Sequence, residues 1–261
     1  MEKTHYTSNL AMGLGLIEET KILLDAWHEN VSANELFEVV LSEGLLRNLS
    51  AYRLKNVVNR CFAPRYLAHP RPPATALKLV KEKFSTAELS QLFFFYTCSV
   101  NPILTDFISE VYWTKYAGGY SDVSRGDAES FIWRAIDDGK TPSRWSEGQV
   151  LRVARYLTGC CADFGLLGNR KISDWEILPF EIQARVFTFL AYYLHFSGVG
   201  DNALLSHKCW ALFGLEKDDV LEEVKRLSLR GSIIVQTAGD VIRISWKHKS
   251  MEELCNVLAK G

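Results

Sequence analysis

Positive charge is the chemistry most visible in this sequence. In the stretch RLKNVVNRCFAPRYL, Arg53, Lys55, Arg60 and Arg65 occur with no acid among them. The chain as a whole carries a formal net charge of -1. Guanidinium and ammonium groups gathered in this way neutralise phosphates, and an Arg or Asn beside them can bond a purine edge bidentately. The charge is also sorted along the chain: residues 1–46 are net -6, residues 47–83 net +8, residues 84–203 net -4 and residues 204–261 net +1. Ordinary solvated helices intersperse Glu with Lys. Residues 47–83 instead hold nine basic residues against one acid, Glu82, which predicts a face turned to a polyanion.

Helices must position these cations. Leu16, Ile17, Thr20, Leu23, Leu24 and Trp27 recur at three- and four-residue spacing and predict a helix over residues 14–27. Ser32 followed by Glu35 makes a capping box for a second helix, which ends at Gly44. Ser50 opens a third, AYRLKNVVNRC, predicted to stop before Pro64. On a helical wheel Leu54, Val57, Val58 and Cys61 share one narrow face, while Tyr52, Arg53, Lys55, Asn56, Asn59 and Arg60 occupy the opposite arc. Two short helices joined by a turn, the second basic and Asn-bearing, follow the layout of a helix-turn-helix reader. An ordinary helical hairpin with a wet face has the same pattern.

The stretch HPRPPAT, residues 69–75, is Pro-rich and predicted extended, marking a domain boundary. Beyond it Lys78, Lys81 and Lys83 continue the basic run. Helices are expected over residues 86–100, 102–116, 127–138, 146–164 and 179–196, with GGYSDVSRGD (118–127) as a loop. The last sixty residues change character. Helices over 203–213 and 219–229 precede a strand at 232–236, the turn TAGD, a second strand at 241–246 and a closing helix capped by Ser250. In the second strand Ile242, Ile244 and Trp246 share one face, and Arg243, Ser245 and Lys247 the other. Helix, turn, helix, hairpin, helix is the order of a winged helix. Its second helix carries Lys225, Arg226 and Arg230 but also Glu222 and Glu223, which leaves DNA and protein open as its partner.

Other chemistries find little support. The phosphate-loop, dinucleotide and H-E-x-x-H motifs do not occur. His207 and Cys209 form the one close His and Cys pair, with no second pair to complete a zinc site. The six cysteines lack C-x-x-C spacing and the N-terminus is polar, so free, mostly buried thiols in the cytoplasm are expected. The apolar runs at residues 89–100 and 186–199 fall short of the roughly 20 residues of a spanning helix, so no membrane insertion is expected.

The opening YTSNLAMGLGLIEETKILL resembles that of BrxA proteins of bacteriophage exclusion (BREX) systems. So does the end: FSGVGDNALLSHKCWALFGLEKDDVLEEVKRLSLRGSIIVQTAGDVIRISWKHKSMEEL. The resemblance implies a small, non-enzymatic, double-stranded DNA-binding component of a phage-defence locus, with other BREX proteins as partners. The family has also carried an inner-membrane label, from which this sequence departs by segment length.

The expectations are therefore as follows. The fold is mainly α: an N-terminal helix-turn-helix-like domain (1–70), a central helical domain (71–200) and a C-terminal winged helix with a small β-hairpin (201–261). No cofactor, metal or small-molecule substrate is expected. Candidate DNA contacts are Arg47, Arg53, Lys55, Arg60, Arg65, Lys81 and Lys83 for phosphates, with Asn56 and Asn59 for base edges. Lys225, Arg226, Arg230, Arg243, Lys247 and Lys249 would add a second surface. Two other functions fit the same residues. The basic face can serve a scaffold that binds an acidic protein, or it can bind RNA with Tyr52 and Tyr66 stacking on bases.

Overall fold

The computed structural model describes residues 5–7, 15–67, 72–171, 174–238 and 241–260, with the backbone alone for 169–171, 237, 238 and 241. The chain is mainly α-helical. It forms two compact units, each built from two stretches of chain: residues 1–75 with 93–180, and residues 76–92 with 181–261.

In the first unit, α1 (Ile17–Ala26) and α2 (Ala33–Glu43) lead into one long helical run. That run comprises α3 (Ala51–Asn56), a π-helical segment (Val57–Phe62) and α4 (Ala63–Tyr66). Leu23, Leu24, Leu36, Val40, Leu54 and Val58 are all buried. An aromatic cluster continues this core: Tyr66 lies 5.1 Å from Phe62, 5.9 Å from Phe93 and 6.0 Å from Tyr96. The helix predicted to stop before Pro64 in fact runs through it. A proline inside an α-helix clashes with the carbonyl four residues back and supplies no N–H. The preceding turns bond over five residues instead, as the Ala63 N–H donates to the Val58 carbonyl. This widens the backbone and moves the offending carbonyl aside.

Next come α5 (Pro73–Lys81) and α6 (Thr86–Ser99). Pro73 opens α5 rather than an extended stretch, because its fixed φ suits a first helical position. His69, Pro70 and Arg71 lie outside the described residues. A second broken run follows: α7 (Pro102–Phe107), a π-helical segment (Ile108–Tyr112) and α8 (Trp113–Ala117).

A small antiparallel sheet, not expected from the sequence, occupies the first unit. Its strands are β1 (Asp122–Ser124), β2 (Leu167–Lys171) and β3 (Asp174–Ile177), in the order β1-β3-β2. Val123, paired with Trp175, is its buried centre. The segment read as a loop at 118–127 thus contains a strand. These strands are three to five residues long and rich in Asp, Gly, Asn and Lys, so they carry no apolar alternation. Between β1 and β2 stand α9 (Arg125–Asp137) and α10 (Glu147–Asp163), each opened by a capping box, from Ser124 and Ser146. Phe94 packs between Phe164 and Phe180, at 5.5 and 5.3 Å.

The second unit contains α11 (Ala184–Phe196), α12 (Asp201–Leu205), a 3-10 turn (Lys208–Phe213) and α13 (Lys217–Leu229). The hairpin β4 (Ile233–Ala238) and β5 (Val241–Trp246) and the closing α14 (Met251–Leu258) complete it. Helix α11 starts later than expected, at Ala184, with Gln183 as its N-cap. Phe187 stacks on Trp210 at 4.6 Å, and Trp246 stacks on His195 at 4.4 Å. Ile242 and Ile244 point inward while Arg243 and Ser245 are exposed, as the period of two requires. All six cysteines are buried. Among the described residues no single helix is long and apolar enough to cross a membrane. Residues 86–99 and 102–117 reach that length and composition only together, bent by 114°.

Candidate nucleic-acid interface

The corner between α2 and α3 is fixed by its caps. Ser32 and Glu35 bond each other's backbone N–H at the start of α2. Gly44 ends the helix in the left-handed region, φ 61, where a side chain would be strained. Ser50 Oγ accepts from the Arg53 N–H at 3.3 Å and sets the start of α3.

From this frame Arg47, Arg53, Lys55 and Arg60 project as exposed side chains. The Arg47 Nε donates to the Gly44 carbonyl at 3.1 Å, and Lys55 Nζ lies 6.0 Å above the Phe37 ring. Among the described residues none of these four has a carboxylate within ion-pair distance. The cluster is therefore an uncompensated positive face, in a medium where exposed cations keep their hydration and counterions until a polyanion displaces them.

Two residues of the predicted arc, Asn56 and Asn59, and the candidate Arg65 beyond it are placed differently. Asn56 is only 6% exposed, and its Nδ2 donates to the Tyr52 carbonyl at 2.9 Å. Asn59 is half-buried. A wheel assumes a single covered face, but both α1 and α2 pack on this run, and the π segment breaks the 100° step. Arg65 is 3% exposed and lies inside the first unit. Its positive charge opposes the effect of burial on the thiols of Cys61, Cys98 and Cys160, although burial prevails and pushes Cys160 up to about 12. A guanidinium in that position supports the core rather than meeting a phosphate.

The remaining candidates belong to the second unit. Lys83 is exposed, while Lys81 is half-buried with its Nζ 3.1 Å from Glu82. On α13, Lys225 pairs with Glu222 at 2.7 Å and Arg226 pairs with Glu223, so both cations are already compensated. Arg230, Arg243, Lys247 and Lys249 are exposed. Lys247 Nζ reaches the Gly231 carbonyl at 3.3 Å, which brings it beside Arg230.

The hairpin owes its position to residues that sequence reasoning passed over. Asp201 accepts from the Ile244 N–H at 2.8 Å and from the Trp246 indole at 3.3 Å. Asn202 accepts from the Ile242 N–H at 3.1 Å. Two side chains from the first turn of α12 thus occupy the strand edge where a further strand would pair. The signal was an Asp-Asn pair directly after Gly200, at a helix start.

Comparison with known proteins gives the following. A protein-family model described as BrxA matches residues 4–192. A crystal structure of an uncharacterized protein from Magnetospirillum magneticum is similar in fold, with a TM-score of 0.60 at 15% identity. The similarity covers 80% of this chain and 99% of that one. No curated protein matches the chain.

Proposed function

The chain belongs to the BrxA family and is a component of a bacteriophage exclusion defence system, and on that premise we propose that it binds double-stranded DNA without acting on it chemically. The observation that supports this reading is the group of four exposed cations on one corner of the first unit, Arg47, Arg53, Lys55 and Arg60, which among the described residues have no carboxylate within ion-pair distance. In this reading α2 and α3 act as a helix-turn-helix whose second helix faces the duplex. Binding is dominated by the phosphate backbone. With Asn56 buried and Asn59 half-buried, little remains at this face to read adenine.

A second reading concerns the second unit alone, where α12, α13 and the hairpin follow the order of a winged helix. The compensated cations of α13 and the exposed Leu229 (89%) and Ile234 (63%) favour a protein as its partner, another component of the same defence system.

Titration of the pure protein onto a random-sequence duplex at several salt concentrations tests the main reading. Four phosphate contacts give a log-log slope of about -4, since each contributes roughly -0.9. Arg53→Glu/Arg60→Glu should flatten that slope by about two. Equal slopes for the folded mutant and the wild type would remove this corner as the DNA face.

A further inference from the structure

Among the cations of the α2–α3 corner stands one exposed aromatic residue. Tyr52, on the first turn of α3, is 73% exposed. Among the described residues its ring has no aromatic or cationic neighbour, unlike Tyr120, which Lys115 covers at 5.0 Å, or Tyr116, which stacks on Tyr112. Phe62 and Tyr66, the other aromatics of the basic stretch, are buried and cannot stack on a ligand. The turn carrying Tyr52 is held firmly. Ser50 caps it from one side, and the buried Asn56 amide bonds the Tyr52 carbonyl from the other. Tyr has few rotatable bonds, so a ring on a fixed turn loses little entropy when something stacks on it.

Lys55 stands one turn along from Tyr52, and Arg53 is its neighbour in sequence. An exposed aromatic ring flanked by uncompensated cations is the combination that holds an unpaired nucleotide: the cations take the phosphate and the ring takes the base. A continuous duplex cannot use the ring, because its bases are already stacked. We infer that Tyr52 is a stacking platform for an unpaired base, so that the α3 face prefers duplex DNA carrying a single-stranded extension over blunt duplex. This rests on the DNA-binding reading above and specifies its substrate.

The test is fluorescence anisotropy on three DNAs: a blunt duplex, the same duplex with a single-stranded extension, and the same with an abasic extension. The abasic strand supplies the extra phosphates without bases. Wild type should bind the base-bearing extension about 5- to 150-fold more tightly than the abasic one, the range that one stacked base supplies. Tyr52→Ala should abolish that difference and leave blunt-duplex affinity unchanged. Tyr52→Phe should retain it, since stacking needs the ring and not the hydroxyl. Duplex binding without discrimination between the two extensions, or discrimination that survives in Tyr52→Ala, overturns the inference and leaves the DNA-binding reading standing. No binding to any of the three DNAs overturns both.

Discussion

Single residues show both the reach and the limit of the sequence. The excess of Arg and Lys over residues 47–83 was legible because charge is a property of composition. Which of those cations meet solvent was not, because burial depends on neighbours that arrive from elsewhere in the chain. Arg65 and Asn56 read like Arg53 and Asn59, yet both are buried. The same limit hid the Glu88–Arg185 pair, whose partners lie far apart in sequence. Arg185 Nε and Nη2 donate to the Glu88 carboxylate at 2.7 and 2.6 Å, and its guanidinium also covers the Phe84 ring at 4.7 Å. Burial alone would raise the Glu88 carboxyl above its ordinary value of 4.5, but Arg185 and the Ser85 N–H and hydroxyl outweigh burial and hold it lower. In the unfolded chain the same group titrates near the ordinary value. The ionised form therefore adds stability at pH above about 4.5, and that stability is lost as pH falls through the lower folded value. Glu88→Gln should cost on the order of 3 kcal/mol at neutral pH, since it strands Arg185. Its melting temperature should also fall less steeply in acid than that of the wild type. Parallel acid limbs for the two proteins would refute the assignment.

At the scale of elements, most helices were legible because their caps and periodicity are local. Ser32, Ser50, Ser146 and Ser250 each accept the backbone N–H three residues on, as their position before an apolar run suggests. The two π segments and the three short strands were not legible. A π turn leaves no mark in the pattern of apolar residues, and strands of three to five polar residues are defined by pairing rather than by alternation. The hairpin β4–β5 was read correctly from its Ile and Val content, but the means of holding it was not. Asp201 carries that role through two hydrogen bonds to β5. Asp201→Ala should destabilise the hairpin by about 2 kcal/mol, the usual loss for charge-assisted bonds to backbone and indole N–H groups. Amide hydrogen exchange at Ile244 should accelerate accordingly, while exchange in α9 and α10 of the other unit stays as it was. Unchanged protection at Ile244 would mean that the hairpin is held by its apolar face alone.

For the molecule as a whole, a formal charge of -1 hides a chain whose segments differ widely in charge. Association with DNA responds to the local face within a Debye length, roughly 8 Å at physiological salt, and not to the net value. Two candidate faces carry exposed cations: the α2–α3 corner of the first unit, and Arg230, Arg243, Lys247 and Lys249 in the second. They are not equivalent. Among the described residues the four cations of the first have no carboxylate within ion-pair distance, whereas the second shares its unit with the ion-paired acids of α13 and with Glu253, which accepts from the Lys249 N–H at 2.8 Å. The family match ends at residue 192, before α12, α13 and the hairpin. If the first face carries the DNA contact, Arg243→Glu/Lys247→Glu should shift the log-log salt slope by less than one. Arg53→Glu/Arg60→Glu should shift it by about two, each lost phosphate contact counting roughly 0.9. Equal shifts from the two double mutants would mean that both units engage the duplex. A larger shift from the hairpin pair would transfer the DNA contact to the second unit and leave the basic corner of the first for another polyanion.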